Sequence, residues 1–252
     1  KECTSLKEVK IPKSVKYIAG GVFCMCTSLE KIEIPNSVVF IGAGTFGHCS
    51  SLKEVTLPNS IGSLENDLFF KCEKLENPDA NANQTNNEKN IIPNSITTIG
   101  AGVFSNCTSL KEITIPDSVF EIGGGAFFKC TKLESITLSN STLAIRNSTF
   151  RECTNLKMIN LPSLVALIDD DAFKDCNQMQ SITIPESVTS IGQGALHGCS
   201  ALTQLKIPRT VVSIGTSAFG GCSRLTHVEI PNDLVGNITK YGISSSPNVT
   251  GV

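Results

Sequence analysis

Residues 107–129 read CTSLKEITIPDSVFEIGGGAFFK. The run Leu110-x-x-Ile113-x-Ile115 ends in alternating apolar residues and is rich in β-branched types, which predicts a short strand. Pro116 stops it, because proline has no N–H to give to a ladder. Pro116-Asp117-Ser118 then has turn composition. Val119-x-x-Ile122 reads as a second short extended piece. Gly123 to Gly125 permit a bend at positive φ, and Ala126-Phe127 open a short helical or 3-10 turn that returns the chain to Cys130.

One such unit has nothing to bury its apolar face against. The same pattern, however, recurs along the chain. Cys3, Cys26, Cys49, Cys72, Cys107, Cys130, Cys153, Cys176, Cys199 and Cys222 stand 23 residues apart, except for a gap of 35 (23 plus 12) between Cys72 and Cys107. Nine complete units and a degenerate tenth fill almost the whole chain. Stacked units superpose their Leu, Ile, Val, Phe and Cys into a continuous core. The expected fold is a single solenoid over 1–252, with a parallel β-sheet along one face and short extended or 3-10 segments elsewhere. Strands stacked at about 4.8 Å make it on the order of 45–50 Å long. Phe23, Phe46, Phe69, Phe104, Phe127, Phe150, Phe173 and Phe219 form one column, with Leu196 in the remaining slot, and read as a core stack rather than a ligand groove.

The recurring C-x-x-L-x-x-I-x-I-P-x-S-V-x-x-I-G-x-x-A-F closely resembles the 23-residue unit of the BspA-type leucine-rich repeats, over residues 3 to about 238. The resemblance implies a curved leucine-rich-repeat solenoid whose concave sheet meets partners. It also implies a setting among surface or secreted proteins of bacteria and protozoan parasites, many of them adhesin-like. No functional residue carries over, since the motif residues are structural. The pattern departs at the insert 78–89, at Ser139 in place of proline, and at Val235-Gly236-Asn237-Ile238, after which 239–252 reads as a C-terminal tail.

Composition narrows the function. A net charge of −2 argues against electrostatic binding of nucleic acid or an anionic membrane. No apolar run approaches the roughly 18 residues of a membrane helix. The chain opens Lys1-Glu2-Cys3 without Met, as a trimmed fragment would, with further repeats possible before it. His48, His197 and His227 are scattered, with no acid–base cluster, so an enzyme is not expected, nor a cofactor. The I-G-x-G glycines recur with the unit and serve turns rather than phosphates. Ladder cysteines share one slot, so parallel Cβ vectors should prevent disulfides and the spacing suits no zinc site. They are expected to be buried free thiols. Cys24 lies outside the slot and is expected to be partly exposed. Free thiols favour a reducing compartment, which keeps an intracellular scaffold as the alternative to a surface or secreted binding module.

The variable strand positions form outward columns. Lys7, Glu30, Lys53, Glu76, Lys111, Glu134 and Lys157 alternate in charge over seven rungs before Gln180, as do Glu8, Lys31, Glu54 and Lys10, Glu33. Opposite charges on adjacent strands support register more than they steer a ligand. Later rungs are polar and less charged: Thr114, Thr137, Asn160 and Thr183, beside Ser135, Met158, Ser181, Gln204 and His227. This half is the candidate patch for an unidentified protein or glycan ligand. Tyr17 and Phe40 share an outward slot near one end, beside Val39, and are a second candidate anchor, for a partner or, as a first unit without a polar cap favours, for a preceding repeat. The Asn-rich insert reads as a surface loop or a binding loop. Asp169-Asp170-Asp171 lacks a wrapped calcium loop and reads as acidic residues opening a turn, with Arg146 as the expected partner of Asp169. Six N-x-S/T sequons, at Asn83, Asn106, Asn140, Asn147, Asn237 and Asn248, lean weakly toward secretion.

Overall fold

The computed structural model describes residues 2–76, 91–243 and 248–252; the insert 78–89 and the Asn83 sequon lie outside them. The chain is a parallel-strand β-solenoid of about nine turns. Among the described residues, units two, three and five to nine each give two short strands, which join two stacks, while the first unit contributes a doublet strand and an isolated bridge at Lys10. The triplet sheet is built from Lys31–Glu33, Glu54–Thr56, Glu112–Thr114, Ser135–Thr137, Met158–Asn160, Ser181–Thr183, Gln204–Lys206 and the longer His227–Ile230. The doublet sheet runs from Tyr17–Ile18 through Phe40–Ile41, Ser63–Leu64, Thr98–Ile99, Glu121–Ile122, Ala144–Ile145, Leu167–Ile168 and Ser190–Ile191 to Ser213–Ile214. Partners are one repeat apart, as in Ile113 with Ile136. Across the insert, Ser63 pairs with Thr98 and Leu64 with Ile99, so the added residues leave the register intact.

In both sheets the residue between or after exposed ones points inward: Ile113, Ile159 and Ile182 in the triplets, Ile122, Ile145 and Ile168 in the doublets, all buried. The turn between the strands closes as its residues predict, with the Val119 N–H on the Pro116 carbonyl at 2.9 Å. Where Ser139 replaces that proline, the serine is buried and its hydroxyl accepts the Ser141 N–H.

The third side is a corner whose backbone alternates between two kinds of hydrogen bond. N–H groups of Gly125, Phe127 and Lys129 donate to Asn147, Thr149 and Arg151 carbonyls of the next unit. N–H groups of Ala126, Phe128 and Cys130 donate locally, to carbonyls three residues back. Every backbone donor of this buried corner is thereby satisfied without a helix. The geometry requires left-handed residues at two slots. The first is the Gly125 slot (φ 63°), shared by Ser148, Asp171 and Ser217; the second is the Lys129 slot (φ 58°), shared by Met25, His48, Glu152 and Asp175.

Inside, the phenylalanine column forms a continuous stack from Phe23 to Phe173, ring centroids 5.4–5.6 Å apart and nearly parallel. The ladder cysteines lie beside it. All eleven cysteines are free, and nine of the ladder are buried, with Cys3 exposed and Cys24 half-buried. From Cys49 onward each ladder thiol donates to the carbonyl of the phenylalanine-slot residue in the preceding unit, at 3.1–3.3 Å. Cysteine therefore fills a small apolar slot while supplying a weak donor. Burial pushes the Cys130 thiol up to about 12.

The last unit departs from the repeat. Asn232–Asn237 is a 3-10 helix, Tyr241 and Ile243 are buried against the core, and Asn248–Gly251 adds a parallel strand beside His227–Ile230.

Candidate interaction surface

All ten candidate residues are exposed. Eight lie on the triplet stack, in three paired ladders: Thr114 pairs with Thr137, Met158 with Ser181 and Asn160 with Thr183, and Gln204 with His227. Alternation along each triplet turns the central residue into the core and its two neighbours outward, so the eight form two registered columns. Met158, 55% exposed, is the one large apolar side chain among them. Tyr17 and Phe40 are cross-strand neighbours on the doublet sheet. They are separate from the other eight.

The charge columns form ion pairs between rungs. Lys31 meets Glu54 at 2.6 Å, Lys157 meets Glu134 at 3.1 Å and Lys53 meets Glu30 at 3.4 Å. Salt-bridging to Glu54 raises the Lys31 ammonium above its ordinary range. One further pair, Lys206 with Glu229 at 3.5 Å, lies in the late rungs. Charge thus returns at the edge of the polar half. Thr203 and Thr226 are exposed beside it and extend the first column past Gln180. Continuing the column count into the last two units would have found all four.

Asp169 does not pair with Arg146; among the described residues Arg146 has no ion pair. The corner's alternation gives the three carboxylates different tasks. Asp169 accepts the Asp170 N–H, Asp170 accepts the Gln193 N–H of the next unit, and Asp171 pairs with Arg151 at 3.1 Å and Lys174 at 3.5 Å. Arg151 also lies over the Phe128 ring, as does Lys129.

Clefts open on two sides of the described residues. One, of about 370 Å³, lies along the cysteine corner near Met25 and His48; the other, of about 780 Å³, lies along the first two triplet rungs, among Lys7, Glu8, Lys10, Glu30 and Glu33. Among the described residues no group of His, Cys, Asp and Glu could hold a metal ion, and no helix is long and apolar enough to cross a membrane. What the geometry offers is surface: a stiff sheet presenting side chains at the strand spacing.

Solved structures share this architecture. A leucine-rich repeat protein from Bacteroides ovatus aligns with all of this chain and 79% of its own, at 28% identity and a TM-score of 0.60. The pneumococcal vaccine antigen PcpA aligns over 87% of this chain and 55% of its own, at 19% identity and a TM-score of 0.50. A leucine-rich cell surface protein from Faecalibacterium prausnitzii aligns over 94% of this chain and 84% of its own, at 21% identity and a TM-score of 0.49. No curated protein matches the chain. The BspA-type leucine-rich repeat region matches residues 1–90, 78–203 and 158–252, in six copies, and the chain belongs to that family.

Proposed function

We propose that this solenoid is a non-enzymatic binding module of a surface or secreted protein, and that it takes a host or matrix protein or a glycan on the triplet sheet of units five to nine. Family and fold support the coarser reading, a protein-interaction framework of a kind that is typically non-catalytic. The surface setting and the adhesive role rest on the family resemblance. The observation that carries the site is the registered, exposed and mostly uncharged pair of columns around Met158, flanked by charge columns that neutralise themselves in ion pairs. Covering such a patch costs less than covering charges, provided that the ligand pairs its hydroxyls and amides.

The test is binding of the full chain to immobilised fibrinogen, fibronectin, laminin and a glycan array. Captured ligands are then retested with N160R/T183R and with the charge-column variant E30Q/K53Q. Loss with the first and retention with the second supports the reading. Equal binding by N160R/T183R refutes the site, and absence of any ligand in the screen counts against the adhesive role.

A further inference from the structure

The doublet sheet carries a second surface that the polar columns do not include. Phe120, Leu143 and Leu164 are 49%, 55% and 53% exposed on three successive units. Ala166 is exposed beside them, and Ala144 and Leu167, half-buried, pair across the same rungs. Leu164 occupies a slot that is Ser118 and Ser141 in the two preceding units. The rungs on either side are polar, with Thr97 and Thr98 before and Thr189 and Ser190 after. Three large apolar side chains thus share one bounded island, where scattered single ones would need no explanation.

The border of this island is acidic. Within the same three units the exposed or half-exposed charges next to it are Asp117, Glu121, Asp169 and Asp170, against Arg146 alone. None of these carboxylates is paired with a cation among the described residues. The Asn140 N–H and side chain hold the Asp117 carboxyl below its ordinary range. Asp170 is fixed by the Gln193 N–H at 2.6 Å.

We infer that this face docks a segment of another protein in which apolar side chains are flanked by Lys or Arg. Charge complementarity selects that occupant. A second copy of this chain, apposed face to face, would set acidic rims against each other, and an anionic lipid surface would be repelled by the same rims. The surface is distinct from the triplet sheet, so the chain would hold two partners at once.

The probe is a labelled amphipathic Leu/Lys peptide titrated against the full chain by fluorescence anisotropy, with a Leu/Glu peptide of the same pattern as comparison. The Leu/Lys peptide should bind and the Leu/Glu peptide should not. L143S/L164S should weaken binding about tenfold. D169N/D170N, which keeps the acceptor oxygens, should weaken it and flatten its salt dependence. N160R/T183R should leave it unchanged, which separates this surface from the triplet sheet. F120S serves as an independent variant should L143S/L164S lower the unfolding midpoint. Unchanged affinity in all three island variants overturns the inference, as does equal binding of the Leu/Glu peptide. So does a dimer in sedimentation that L143S/L164S dissolves, or capture by phosphatidylserine vesicles that the same variant abolishes.

Discussion

Truncating one ring in the middle of the aromatic stack should cost this protein much of its stability. Phe127 is fully buried and stacks on Phe104 at 5.4 Å and on Phe150 at 5.5 Å. Truncating a buried phenylalanine to alanine costs about 3–5 kcal/mol. Two parallel ring pairs at roughly 0.5–1.5 kcal/mol each are lost with it, which puts Phe127→Ala near 5 kcal/mol, against about 5–15 for a whole domain. Phe127→Leu separates the two contributions. Leu196 occupies the same column, fully buried, so the slot accepts leucine. F127L should therefore lose mainly the ring pairs, about 1–3 kcal/mol. The assay is urea unfolding followed by far-ultraviolet circular dichroism, because the chain has no tryptophan to report. Mid-array damage should also lower the m-value, as the units on either side uncouple. The reasoning fails if F127L costs as much as F127A, or if F127A costs less than about 2 kcal/mol.

In native protein, iodoacetamide should modify Cys3 and Cys24 quickly and the nine buried ladder cysteines only after denaturation; mass spectrometry after brief labelling checks this. The same thiols make the fold alkali-sensitive. Burial raises Cys49, Cys130 and Cys222 from 9.0 to about 12 in the folded state. The unfolded chain therefore releases protons first, so stability is full below pH 9 and falls as pH rises toward 12, by up to about 1.4 kcal/mol per thiol per unit. Urea midpoints from pH 7 upward should fall, and C130A should flatten the slope. Ser148→Gly should stabilise by a few tenths of a kcal/mol to about 1, because Ser148 sits at φ 55° where glycine is unstrained; thermal unfolding measures it. Glu134→Gln, which breaks an exposed pair with Lys157, should cost less than about 0.5 kcal/mol, and that cost should shrink as salt is raised.

How legible each feature was depended on whether the repeat carried it. The strand slots, the phenylalanine stack and the inward cysteines follow from one unit read nine times, since a periodic error would have exposed Ile113 and its equivalents together. Features tied to single units were not legible. The pairing of Asp171 with Arg151 and Lys174, instead of Arg146 with Asp169, depends on the corner's alternating hydrogen bonds, and nothing in residue order announces these. The second left-handed slot holds Gly198, Gly221, Asn106 and Asp175 in some units but Met25, Lys129 and Glu152 in others, so no single unit announces it. Within the island, Leu164 stands in a turn slot that is serine in the two preceding units, and Phe120 and Leu143 fill a variable position of the second extended piece, so the repeat pattern does not announce them. The closing strand pairs His227 with Asn248, 21 residues on, and so falls outside a search at 23. The exposed columns of the triplet sheet were readable as positions. Their ligand was not, because threonine, serine and asparagine suit many partners and the hot-spot types Trp, Tyr and Arg are missing from them.

The thiol ladder sets a race for any copy that leaves the cytosol. Once packed, each sulfur is held against a carbonyl with its neighbours facing the same way, and oxidants reach few of them. Before packing, eleven thiols on one chain can pair in a very large number of wrong ways. Export would therefore succeed only where the solenoid zips up faster than disulfides form. Because each rung packs on the rung before it, burial of the thiols can spread along the array one unit at a time.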